Sequence, residues 1–404
     1  MLRRVLLIAA MVGLGVWFFS LPREEETARV IPAPVVETVA PPAPAPEKPK
    51  TLPPIDDPFC GDTHRSLTFV ERTQGERRWV EVLAGDETLG TQDRRAGEPS
   101  LNDIEQWNAL EDTERIESFR KAMRTNPDDA VTAWFFVKAA RHEADPEELL
   151  AAMQAFMKHF PVAEAQRLQS RFEVARDVQR GNQRVSSGGV TLEYPPASLT
   201  ASQAQMLVAL LDVTLYEAAR YLDTPRRRTL SAVVYTDRSD LLAVTCAPTW
   251  AGGLYDGKLH LVASNHALGV EPRVMRHESV HAQLRELTST GPLWFHEGVA
   301  RAFEQSPPPK KAWTLMVKNR SWIPFSSLDG SLEAFADDDA SLAYAQSLAM
   351  VEFLRECGGT TAISRAIAAF KSGAKTPEVL AQVCQRGEVT GSDLLQFIEG
   401  RLSQ

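Results

Sequence analysis

Apolar residues recur at helical spacing through residues 100–182, where Trp134, Phe135, Phe136, Leu149, Leu150, Met153, Phe156 and Met157 mark inward faces. Ahead of them, Leu67-Thr68-Phe69-Val70 and Arg78-Trp79-Val80-Glu81-Val82-Leu83 read as short strands. A second β signal, Thr229-Leu230-Ser231-Ala232-Val233-Val234-Tyr235, is rich in β-branched residues and ends at Asp237. Residues 250–261 then predict a glycine-rich hairpin that turns at Asp256-Gly257. The period returns to helix around Val274, Met275, Val280 and Leu284, with Pro272 near its start and Gly291-Pro292 breaking the chain after it. Further helical stretches follow at about 343–356, 361–372, 376–385 and 390–402, punctuated by Gly358-Gly359, Gly373 and Gly387.

The first hundred residues follow other rules. Arg3-Arg4 precede a 17-residue apolar-biased run, Val5 to Leu21, and Arg23-Glu24-Glu25-Glu26 follows it. That run is at the short end of what spans a bilayer, and no small-residue cleavage pattern follows Trp17-Phe18-Phe19. It predicts an uncleaved signal anchor over residues 1–28, with the basic flank cytoplasmic and the remainder outside. The expected location is the bacterial inner membrane, single-pass, with the C-terminal domains periplasmic. Residues 29–58 are proline- and alanine-rich and predict an extended linker, and 59–99 predict a small β-containing region. Within 100–183, Pro127 and Pro161 stand 34 residues apart, the tetratricopeptide period, with a helix pair expected between them.

Composition narrows the class without choosing a function. A chain of 404 residues with 44% hydrophobic content can build two or three real cores. A formal charge of -9 supplies no basic footprint, so nucleic acid is not an expected partner. The four cysteines, Cys60, Cys246, Cys357 and Cys384, show no C-x-x-C spacing, which argues against a cysteine-held metal. Cys357 and Cys384 flank one helical segment and form the preferred disulfide pair.

The chemistry concentrates in His277-Glu278-Ser279-Val280-His281. On a helix, positions i and i+4 lie one turn apart on one face, so both imidazoles can reach one metal ion. Glu278 points to the side of that pair, where it can take a proton from an attacking water. An amphipathic helix with two merely exposed or hydrogen-bonded His residues is the plain alternative. A catalytic zinc takes three protein ligands and keeps one position open, and Glu297 is the candidate for the third.

His277–His281 together with Pro292-Leu293-Trp294-Phe295-His296-Glu297-Gly298-Val299-Ala300 resembles the gluzincin metallopeptidases, in particular the bacterial peptidase-MA-like domains with a P-x-W-[LF]-x-E-G-x-A segment. The resemblance covers approximately residues 187–404. It implies an α+β fold: a zincin-like catalytic domain with a small mixed sheet, a zinc helix and a helical C-terminal half. This domain is expected behind the helical, TPR-like region and the membrane anchor. It implies one Zn2+ ion on His277, His281 and Glu297, with Glu278 as general base. It further implies that Gly252, Gly253, Leu254 and Tyr255, on the strand preceding the zinc helix, border the cleft and pair with an extended substrate. Tyr344 falls in an A-Y-x-x-S segment and could donate to the oxyanion, a packed Tyr being the competing account.

Three residues stand beside the pattern. His296 adjoins the presumed ligand, but neighbouring helix positions point about 100° apart, so it is expected to face substrate or solvent. His260, a lone His in a strand, reads as structural. Glu304 lies two turns past Glu297 on the same face and could orient a ligand His, an exposed surface glutamate being the commoner case. The expected function is a membrane-anchored zinc metallopeptidase acting on a peptide or protein substrate, with a possible protein partner on the helical region. A non-catalytic or partner-gated zinc-binding envelope scaffold is the alternative from another class, and hydrolysis of another amide bond is a third.

Overall fold

The structure, a computed structural model, describes residues 36–37, 67–84, 87–110, 112–141, 143–227, 229–245, 247, 251–287, 291–305, 307–329 and 337–403. The first compact body is a three-stranded antiparallel meander with helices packed on it. Its strands are β2 (Leu67–Gln74), β3 (Arg77–Ala84) and β4 (Glu87–Arg94). The helices are α1 (Leu101–Asn108), α2 (Asp112–Thr125), α3 (Ala130–Ala140), α4 (Pro146–His159) and α5 (Ala163–Gln179). Val80 and Val82 share one core with Phe119, Phe136, Met153, Phe156 and Phe160. Between Pro127 and Pro161 the chain forms the two helices α3 and α4.

β4 escaped the sequence pattern because Glu-Thr-Leu-Gly-Thr-Gln-Asp-Arg has almost no apolar alternation. Its inward positions are polar, and Arg94 is buried in an ion pair with Asp129, the N-cap of α3. That cap also accepts from the amides of Val131 and Thr132, so one carboxylate closes the helix and anchors the sheet.

A six-stranded sheet follows, in the order β1-β5-β6-β7-β9-β8. Its strands are β1 (Val36–Glu37), β5 (Gln183–Ser187), β6 (Val190–Tyr194), β7 (Leu230–Tyr235), β8 (Gly253–Tyr255) and β9 (Leu259–Val262). β6, β7 and β9 run parallel, while β8 returns antiparallel to β9 at the sheet edge. The crossovers between the parallel strands carry α6 (Ala201–Leu222) and α7 (Arg238–Thr245).

Two expectations are corrected here. Helices and strands alternate along one sheet and a second small sheet precedes it, so the fold is mixed α/β rather than α+β, which keeps the two kinds of element apart. The expected anchor over residues 1–28 lies outside the described residues. Among the described residues no helix is long and apolar enough to cross a membrane. The longest, α6 and α12 (Asp337–Gly358), reach 22 residues but carry Asp212, Glu217 and Arg220, or Glu352, Arg355 and Glu356. The membrane anchor and the single-pass inner-membrane location built on it are therefore not supported. Most of the proline-rich linker also lies outside the described residues, as do Cys60 and Cys246.

The helix of the His pair, α8 (Pro272–Leu287), lies between two cores. Met275 and Ala282 join the sheet and α6. Val280 and Leu284 join a helical core built from α9 (Leu293–Phe303), α10 (Lys310–Asn319), α12, α13 (Ala362–Lys371), α14 (Thr376–Cys384) and α15 (Gly391–Leu402). Packing on both sides leaves α8 little rotational freedom about its axis. A disulfide joins Cys357 at the end of α12 to Cys384 at the end of α14, across 27 residues.

Candidate metal centre

α8 and α9 place the site. On α8, Arg276 donates to Glu217 of α6 at 2.7 Å and to the Phe303 carbonyl of α9 at 3.2 Å. Its guanidinium lies over the Phe303 ring, 4.4 Å from the centroid. Gln283 accepts from the Arg227 amide and donates to the Pro225 carbonyl, fixing the loop before β7. On α9, the buried Trp294 donates its indole N–H to Thr376 at 2.9 Å.

Gly298 meets α12 so closely that a Cβ there would collide with the Ser347 carbonyl and sit 2.7 Å from the Val351 side chain. The Gly of Glu297-Gly298 thus sets the α9–α12 distance, and Glu297 is oriented by the same contact. Gly298→Val should cost about 1–3 kcal/mol by overpacking, or more if the helices cannot separate. A lowered urea midpoint together with weakened metal uptake is the expected result. An unchanged midpoint would count against this close contact.

The three expected ligands come together. The Nε2 atoms of His277 and His281 stand 3.3 and 3.5 Å from the two carboxylate oxygens of Glu297. One ligand atom from each residue falls within 4.8 Å of the other two. Zinc–ligand bonds of about 2.0–2.1 Å imply ligand–ligand edges of about 3.3–3.4 Å in a tetrahedron, so the donor set fits such an ion with little rearrangement. His296 is not part of this group. It is half-buried against Phe295, and burial, reinforced by Arg285, holds its pKa down, so it stays neutral.

Glu304 is not the exposed surface group that its composition suggested. Its Oε2 lies 2.9 Å from His277 Nδ1, with its side chain 11% exposed. A carboxylate on the far ring nitrogen fixes the tautomer that turns Nε2 toward the metal position. Seven-residue spacing was the available sequence signal, but whether that face turned to the His or to water depended on how α9 packs. Glu304→Gln should weaken metal affinity by about 10–100-fold. Competition with a chelating dye would measure it, and an unchanged affinity would remove Glu304 from the site.

The charges divide unequally. Burial alone would strip His277 of its proton, but the carboxylates of Glu297 and Glu304 outweigh it and push the pKa up to about 10. At His281 burial, helped by the neighbouring His277 and His296, outweighs Glu297 and the weaker pull of Glu304 and lowers the pKa to about 3. Burial would raise Glu297, yet His281 and His277 hold it near 2. The metal-free protein thus carries one proton on His277 at neutral pH, and an incoming cation must expel it. Metal affinity should therefore rise with pH, by about tenfold per unit above neutrality until His277 deprotonates unaided. Calorimetric titrations in buffers of different ionisation enthalpy would count the proton released. No release would contradict the assignment.

Glu278 takes no part in the ligand group and stands beside it, 8% exposed. Burial first, then the charges of Glu297 and Glu304, push its pKa to about 7, against the lowering pull of His277 and of a hydrogen bond from the Tyr255 amide. The edge strand β8 approaches it directly. A Cβ on Gly253 would lie 2.5 Å from Val274 Cγ1 and 3.2 Å from Glu278 Cγ. Gly252 approaches Val274 in the same way, while Leu254 and Tyr255 pair with β9. Tyr344 lies half-buried on α12 against the helical core. No protein-family model matches the sequence, and no curated protein matches it.

Proposed function

We propose that this protein is a zinc-dependent peptidase. The observation that carries the reading is the convergence of His277, His281 and Glu297 beside a separate, buried Glu278 whose pKa lies near neutrality. A zinc ion held by these three residues would polarise a substrate carbonyl and acidify a water. Glu278 would accept the proton of the attacking water and pass it to the leaving amine. Glu304 keeps His277 in one tautomer throughout. An extended peptide would add to the edge of the sheet along Gly253–Tyr255, and glycines there let its backbone come close to Glu278. Tyr344 is the candidate oxyanion donor, carried by the helix that packs on α9.

The test uses the full chain, its metal content and its action on a mixed peptide library before and after chelation. One zinc per chain, and cleavage lost on chelation and regained with zinc, is the expected outcome. Zinc bound with no cleavage would favour the non-catalytic or partner-gated scaffold, and no metal bound would end the reading.

A further inference from the structure

Behind the edge strand lie the buried Tyr235 and His260 and the partly exposed Asp256, joined in a line. His260 lies on β9, 5% exposed, opposite Leu254 of the edge strand. The Tyr235 hydroxyl meets its Nδ1 at 2.9 Å and Asp256 Oδ1 meets its Nε2 at 3.0 Å. The Tyr235 and His260 rings stack at 5.8 Å, only 7° from parallel. An ionised carboxylate only accepts, so Nε2 bears the hydrogen, Nδ1 is an acceptor, and Tyr235 donates to it. The Tyr235 and His260 protons thus point the same way, toward the β8–β9 turn.

That turn ends the strand that lies against the base. Asp256 Oδ1 also accepts the Lys258 amide at 3.2 Å, and its carbonyl accepts Arg285 of α8 at 2.7 Å. Tyr255, one residue earlier, gives its amide to Glu278. On the other side of the strand, a Cβ on Gly253 would stand 3.0 Å from the His260 carbonyl and 3.2 Å from Glu278 Cγ. His260 therefore meets β8 through its carbonyl at Gly253 and the turn through Asp256.

Resting on the peptidase reading, we propose that His260 is a positioning residue for Glu278. The line from Tyr235 through His260 to Asp256 pins the β8–β9 turn, so that β8 stays against the general base. A hydrophobe could fill the volume of His260, but it could not hold Asp256 and Tyr235 at once.

The experiment compares zinc-loaded full-length wild type with His260→Leu, His260→Gln and Tyr235→Phe. Glutamine can donate to Asp256 and accept from Tyr235, so it is the conservative rescue. His260→Leu should lower kcat by about 10–100-fold with zinc content and KM little changed, and His260→Gln should recover most of it. Hydrogen exchange at the Tyr255 amide should quicken by about tenfold in His260→Leu, while β2 and β3 stay as in wild type. If His260→Leu only lowers the melting temperature and leaves kcat and that exchange unchanged, His260 is a core residue and the proposal fails. If His260→Leu does not fold, Tyr235→Phe, which removes a single hydroxyl, carries the same two readouts. If wild type cleaves no peptide, the peptidase reading falls, and exchange at Tyr255 still decides whether the line holds the turn.

Discussion

Glu278→Gln is expected to keep its zinc and lose about 10²–10⁴-fold in kcat. The substitution conserves volume, and the amide oxygen can still accept the Tyr255 N–H, so the fold and the strand approach survive. Only the capacity to take and return a proton is removed. The residue lies outside the ligand group, which is why metal content should not follow activity down. Two outcomes would sink the assignment: a variant that cleaves at the wild-type rate, or one that loses metal in proportion to activity. In the wild type kcat should fall on the acid side, since protonation of Glu278 removes the acceptor; its pKa of about 7 belongs to the metal-free site, and a bound cation would draw the fall to lower pH.

Glu297→Ala should abolish stable metal binding, with a loss well beyond the roughly 10–100-fold expected for an outer carboxylate such as Glu304. The carboxylate places one oxygen against each imidazole, so its removal takes away a ligand and the group that aligns the other two. Two buried imidazoles would then face each other with their centroids 4.8 Å apart and no shared anion. Glu297→Gln keeps the volume and discards the charge. It should retain the fold while binding zinc far more weakly than wild type, which separates ligation from packing. Equilibrium dialysis on both variants would measure this. A full zinc complement in Glu297→Ala would return the third position to another residue, His296 being adjacent.

How much could be read in advance depended on whether a contact is local along the chain. His277 and His281 were legible because both stand on one helix and the four-residue spacing alone brings them together. The strand at 230–235 and the hairpin at 253–262 were legible from β-branched content and the Asp-Gly turn. β4 was not, since its inward positions hold Gln92 and Arg94, and it is the facing Asp129, with Glu98 and the Pro99 carbonyl, that makes the buried Arg94 tolerable. The apolar run at the N-terminus supported an anchor by composition, but among the described residues no helix is both long and apolar enough to cross a membrane.

The sequence by itself determined the chemistry available: two imidazoles on one helical face, a carboxylate between them, and a Glu-Gly pair opening the next helix. Those features follow from backbone periodicity, which does not depend on the rest of the fold. Tertiary structure alone decided which outlying groups act on that centre. Glu304 turns to His277, His260 spans Tyr235 and Asp256, and Gly298 closes on Ser347, because α8 is clamped between two cores that set how β9, α9 and α12 meet it. Such pairings join residues tens of positions apart, and only close packing in three dimensions selects them.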